Sequence, residues 1–163
     1  MSSSGIQALA SQWAADLDSW ALPQEILDQA PEVPWKHPVA MFTVAPPHTP
    51  IPDSLSHQRA REVLEPGGSV LDVGSGGGRA SMAITPPAGT LTAVDHQQEM
   101  LDEFHKAAEA RGTIAHSYLG DWPHVAALVP EADVVVCHHV AYNVADIVPF
   151  LQALNAHARK RVV

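Results

Sequence analysis

The chain has 163 residues, 46% apolar and 17% charged, enough for one domain with a real core and inconsistent with a chain that is disordered throughout. Its net charge is -9, from 18 acidic residues against 9 Lys and Arg, and no basic run exceeds Arg159 to Arg161. Phosphate contacts need a concentrated positive face, so no nucleic-acid partner is expected.

In chain order, Ile6, Leu9, Trp13, Leu17 and Trp20 recur at steps of three and four residues, the mark of an amphipathic helix with one apolar stripe. Ser2, Ser3 or Ser4 can cap it, and Pro23 stops it or opens a second short helix, PQEILDQA. Packing of Trp13 and Trp20 against the domain is the plainer expectation, and a lid over a substrate is the sharper one. From Ala30 to Pro52 the chain carries Pro31, Pro34, Pro38, Pro46, Pro47, Pro50 and Pro52, a density at which no regular element is expected. Trp35, Met41, Phe42 and Val44 lie within this segment and call for a packing surface, while His37 and His48 read as surface or substrate-facing residues. A helix from about Ser54 to Leu64 follows, capped by Asp53 or Ser54 and stopped by Pro66-Gly67-Gly68. Residues 1–68 thus read as a helical and proline-rich cap on the remainder.

The next stretch, VLDVGSGGGR from Val70 to Arg79, organises the rest. An apolar run ends in Gly74, Gly76, Gly77 and Gly78, and a helical pattern resumes at Ala80: strand, tight turn, helix. Glycines there let a ligand approach the backbone, although a glycine turn can also do no more than join two elements. A second strand, TLTAV from Thr90 to Val94, ends at Asp95, about 20 residues beyond the glycines. A carboxylate at that place can accept both hydroxyl hydrogens of a ribose, or cap the helix that starts near Gln97. The dinucleotide fingerprint fails, since its third glycine would fall at Arg79, and no Gly-Lys-Ser/Thr follows to make a phosphate loop. Asp72 would repel a diphosphate but suits a ligand with an ammonium group, so a nucleoside with an amino-acid tail fits best.

D-x-G-x-G-x-G at Asp72 to Gly78, with Asp95 and the following HQQEML, resembles the cofactor motif of the class I S-adenosylmethionine-dependent methyltransferases, and the resemblance covers Ser69 to Val163. It implies a doubly wound, mostly parallel α/β sheet of Rossmann-like type. By it Asp72 would lie near the methionine amino group, the turn of Gly74, Ser75, Gly76 and Gly78 would line the methionine half, Asp95 would hold the ribose, and His96 and Met100 would flank the adenine. A weaker alternative is a nicotinamide-dependent oxidoreductase.

A helix from Gln97 to Ala110, ended by Arg111-Gly112, leads to a third strand at Thr113 to Tyr118 and then to Gly120, Asp121 and Trp122. The resemblance puts this corner at the adenine, with Asp121 on its amino group and Trp122 stacked nearby; capping of a helix before Pro123 is the other reading of Asp121. The fourth strand, ADVVVC, reads as a buried central strand and ends at His138-His139, which point in opposite directions on an extended chain. This strand end opens onto the crevice, so His138 is also a candidate cofactor-lining residue, and either histidine is a candidate catalytic base where an acceptor must lose a proton. No metal site is expected, since adjacent histidines lack helical spacing and have no accompanying acid. Cys137 lacks the preceding proline of a cytosine-type nucleophile and reads as a small core residue; being the sole cysteine, it allows no internal disulfide framework.

A final helix from Asp146 to Ala158 precedes a strand begun at Arg161 to Val163. Residues 69–163 therefore read as an S-adenosylmethionine-binding domain lacking the family's usual C-terminal strands, with an open fifth-strand edge through which copies can associate. The expected activity is methyl transfer to a small-molecule acceptor, the alternative being a catalytically incomplete cofactor-binding domain. With no leader pattern and no apolar run near the roughly eighteen residues of a membrane span, the expected setting is cytoplasmic, without a membrane partner.

Overall fold

In a computed structural model, which describes residues 3–29 and 36–163, the apolar runs of the second half pair into a five-stranded, wholly parallel sheet. The strands are β1 Ser69–Val73, β2 Thr90–Asp95, β3 Ile114–Leu119, β4 Ala132–Val136 and β5 Ala158–Val162, in the order β3-β2-β1-β4-β5. The chain winds outward from β1 to β3, then returns to lay β4 on the other side of β1. The carboxyl ends of β1 and β4 therefore open a crevice at a topological switch point.

Side chains alternate across each strand and divide the core in two. Val70, Leu91, Ala93, Val134 and Val136 face α4 (Leu55–Arg61), α5 (Arg79–Met82) and α6 (Gln98–Glu109), whose Ala60, Met82, Leu101 and Phe104 complete that layer. Leu71, Val73, Val94 and Val135 face α7 (Ile147–His157) through Phe150 and Leu154. The doubly wound α/β class implied by the sequence is the observed one.

Several boundaries differ from expectation. α5 ends at Met82 rather than near Ile84, and β5 begins at Ala158 rather than Arg161. The earlier start of β5 follows from what holds its basic side chains: Arg159 reaches Asp133 and the Ser69 hydroxyl, and Arg161 bonds Glu62 and the Arg59 carbonyl, so the strand is pinned along its length. Among its described residues the proline-rich segment contains one helical turn, α3 (Val39–Phe42), where no regular element was expected. Pro38 stands at its N-cap with φ -63, the next proline is Pro46, and the proline-free interval between them has room for a turn. Ser54, not Asp53, caps α4, its hydroxyl accepting from the His57 N–H at 3.2 Å, while Asp53 bonds Arg61 at 2.6 Å.

At the amino end, α1 (Ser3–Trp20) and α2 (Gln24–Leu27) form as the pattern implies. Ile6, Leu9, Ala10 and Trp13 face Ile147 and Val148 of α7 across an apolar groove, and the Trp13 indole donates to the Val144 carbonyl at 2.8 Å. Trp20 does not pack as expected, being 74% exposed: the contact with α7 involves Ile6 to Trp13 of α1, and the last turn runs past it. Ser2, Pro31, Pro34 and Trp35 lie outside the described residues.

Phe104 is fully buried between α6 and the sheet, so Phe104→Ala should destabilise the domain by about 3–5 kcal/mol in urea unfolding, whereas Trp20→Ala should change it by less than about 0.5 kcal/mol.

Candidate functional site

The crevice is built around one carboxylate. β2 ends at Asp95, whose Oδ2 accepts from the Gly76 N–H at 2.9 Å and whose Oδ1 accepts from the Gln97 N–H at 3.0 Å. Asp95 thus ties the glycine turn after β1 to the start of α6, and it does not serve as the N-cap of α6, a position taken by Gln97. Each oxygen keeps a further lone pair, which leaves the group able to accept from a ligand's hydroxyls. The turn is secured from beneath as well, since the Gly74 and Ser75 N–H groups both donate to the Val94 carbonyl. Gly76 has φ 50, in the left-handed region that favours glycine. Ser75 is buried with its hydroxyl turned onto the Gly76 carbonyl, and Gly78 forms the N-cap of α5.

Asp72 lies one layer deeper. It is 2% exposed, and its Oδ2 accepts from the Ser81 hydroxyl at 2.6 Å and the Ser81 N–H at 3.3 Å. Burial pushes this carboxyl up to about 7, outweighing the two Ser81 bonds, and the Asp95 charge adds to the rise. Ser81 itself escaped the sequence reading: a serine in the first turn of a short helix carries no signal until the fold sets it against Asp72.

At the other end of the crevice, His96 Nδ1 and Asp121 Oδ1 stand 3.9 Å apart, both well exposed. Gly120 supports this corner, donating its N–H to the Asp95 carbonyl at 2.9 Å. Met100 is 3% exposed within the α6 layer. Trp122 is placed away from this corner's surface: it is 8% exposed in the layer beneath α7, its indole N–H is directed at the Phe150 carbonyl, and its ring meets His157 edge-on. No helix starts at Asp121; the nearest helical turn is a 3-10 turn at Ala126–Leu128.

Beyond β4 the two histidines do diverge. His138 turns toward α4 and stacks on His57, with ring centroids 5.7 Å apart, whereas His139 is exposed, has φ 61 and meets Tyr142. His138 Nε2 and His57 Nδ1 are both buried without a hydrogen-bond partner. Burial holds both imidazoles below the usual histidine value, reinforced by Arg61 at His57 and by His57 and His139 at His138. Cys137 is half-buried, and burial, aided by the Asp72 charge, pushes its thiol up to about 12, which removes it as a nucleophile.

The proline-rich segment reaches this site. The Gln97 side chain bonds the His37 backbone both ways, accepting from its N–H at 3.2 Å and donating to its carbonyl at 3.1 Å, and the Phe42 carbonyl accepts from the Gly77 N–H at 3.2 Å. Neither Gln97 nor Phe42 was singled out for this position, because the partners lie far apart in sequence.

A family model described as a methyltransferase domain matches residues 70–161. Among solved structures, the fold is similar to TrmN from Thermus thermophilus, at 22% identity and TM-score 0.54 over 64% of this chain and 34% of that one. It is similar to an S-adenosylmethionine-dependent methyltransferase from Clostridium acetobutylicum, at 20% identity and TM-score 0.50 over 61% of this chain and 41% of that one. It also resembles magnesium protoporphyrin IX methyltransferase from Synechocystis with bound S-adenosylhomocysteine, at 25% identity and TM-score 0.50 over 60% of this chain and 45% of that one. The matched part thus spans less than half the length of these three structures. No curated protein matches the chain.

Asp72 makes a pH-dependent contribution. Its folded value near 7 lies above the roughly 3.9 of an unfolded aspartate, so stability from this group is full below about pH 4 and is lost as the pH rises toward 7. Asp72→Asn removes that loss, and its unfolding free energy relative to the parent should therefore be higher at pH 8 than at pH 4 in paired urea titrations.

Proposed function

This chain belongs to the methyltransferase-domain family, and on that premise we propose that it binds S-adenosylmethionine at the glycine turn and transfers the methyl group to a small-molecule acceptor. The observation that carries the reading is the seating of Asp95 between the Gly76 and Gln97 amides, which fixes a strand-end carboxylate beside a left-handed glycine turn. These residues suit the group in kind: acceptors for sugar hydroxyls, glycine backbone for close approach, and buried Asp72 near the turn for an ammonium.

When bound, S-adenosylmethionine supplies a methyl group already activated on a positively charged sulfur. The chain's residues then have three tasks. Asp95 orients the sugar through its remaining lone pairs. His96 and Asp121, 3.9 Å apart at the exposed corner, offer polar contacts to the adenine edge, with Gly120 and Met100 shaping the walls. His138 serves as proton acceptor where the acceptor atom carries a proton, because burial beside His57 keeps its ring unprotonated near pH 7 and so free to take one, although as a weaker base than an exposed imidazole. His139, exposed and turned onto Tyr142, is the weaker candidate. A small acceptor is favoured over a nucleic acid by the net charge of -9.

Calorimetry with S-adenosylhomocysteine tests the site: Asp95→Asn should weaken binding by about tenfold to a hundredfold, the cost of charge-assisted hydrogen bonds, while the far-ultraviolet spectrum stays unchanged. Undiminished affinity in that variant would remove the assignment. For the proton step, His138→Gln should lower turnover with protic acceptors and leave S-adenosylhomocysteine affinity within about twofold; intact turnover would exclude His138 as base.

A further inference from the structure

The backbone from His37 to Thr43 lies directly on the glycine turn. Gln97 holds one end by its paired bonds to the His37 N–H and carbonyl, and Arg111 holds the chain beyond, donating to the Ala45 carbonyl at 2.9 Å, with Val44 packed on the core. Between these anchors α3 brings Phe42 down on the turn. A Cβ built at Gly76 would stand 3.3 Å from Phe42 Cβ, and one built at Gly77 would stand 2.5 Å from the Phe42 carbonyl oxygen. Carbon atoms need about 3.5–4.0 Å between them, so no layer of ligand atoms fits between this strap and the turn. The consequence is visible in burial: Gly76 and Gly77 are buried, Asp95 is 9% exposed and Gln97 is 7% exposed.

We infer that residues 37–43 form a strap that competes with the nucleoside cofactor for the face of Gly76, and that Gln97 is the positioning residue that latches it closed. The inference rests on the cofactor reading above and adds a step to it: the strap pivots on Val44 and Ala45, the sugar then reaches Asp95, and apparent affinity is reduced by the fraction of closed chains. It also reassigns one glycine. Gly77 does not have the positive φ of its neighbours, so no left-handed conformation stands against alanine there, and the atom a methyl would meet is the Phe42 carbonyl oxygen. Gly77→Ala should therefore unseat the strap without disturbing the turn.

The test is S-adenosylhomocysteine titration of the parent chain, Gln97→Ala and Gly77→Ala, with hydrogen exchange on each, free and bound. Loss of the latch should accelerate exchange of the residue 37–43 amides in the free protein, and both variants should bind about fivefold or more tightly, consistent with removal of two hydrogen bonds or insertion of a methyl under the strap. In the parent, ligand should accelerate exchange over residues 37–43. Weaker binding by both variants, together with protection of residues 37–43 on binding, would overturn the inference and make the strap a roof over bound ligand. Unchanged exchange in free Gln97→Ala would refute the latch whatever the affinities. Failure of the cofactor reading is a separate result: no binding by any of the three chains, with the free-state exchange still reporting on the latch.

Discussion

The site depends on where the second strand stops. Asp95 is the last residue of β2, and its two oxygens reach backward to the turn after β1 and forward to the first residue before α6. Both bonds are to backbone N–H groups, which a sheet and helix leave over at their junctions and which must be satisfied if buried. A single carboxylate therefore solves two local problems of the fold at the point where the crevice opens. Its ligand-binding capacity is what remains after that structural task.

Much of this was legible in sequence, for reasons that are local. Alternating apolar strands, the glycine cluster and Asp95 at a strand end depend on residues within a few positions of one another, and strands alternating with helices imply a parallel sheet, whose order β3-β2-β1-β4-β5 only the fold reveals. What could not be read depends on pairs brought together by folding. Ser81 acquires its role only because α5 sets it under Asp72; His57 is an unremarkable α4 residue until β4 delivers His138 against it. Trp122 shows packing at work in another way. Its place in the chain suggested the adenine corner, yet an indole buries a large apolar surface, and the packing available beneath α7 decided its direction.

The proline-rich segment changes how the glycines are understood. Read in sequence they stand for space left for a ligand. In the fold the space above Gly76 and Gly77 is filled by Phe42, and part of the turn's composition is thus set by a segment more than thirty residues earlier, as the bond from Gly77 to Phe42 shows. Prolines suit such a segment: each narrows the conformations of the free chain, so that docking a short strap through a few half-exposed hydrogen bonds costs less entropy than it would for a flexible loop.

Charge is distributed with the same economy. The acids that face the turn are one buried and raised, Asp72, and one held by two backbone amides, Asp95, while His138 at the end of β4 is held toward neutrality by burial and by its histidine neighbours. A site so arranged carries little fixed positive charge of its own near the crevice end of β4. A cationic ligand entering it would stabilise the ionised form of Asp72 and draw that carboxyl back toward its ordinary range, so its binding should release protons between about pH 5 and pH 7. Uncharged analogues of the same shape would release fewer, because the shift follows the ligand's charge and not its volume.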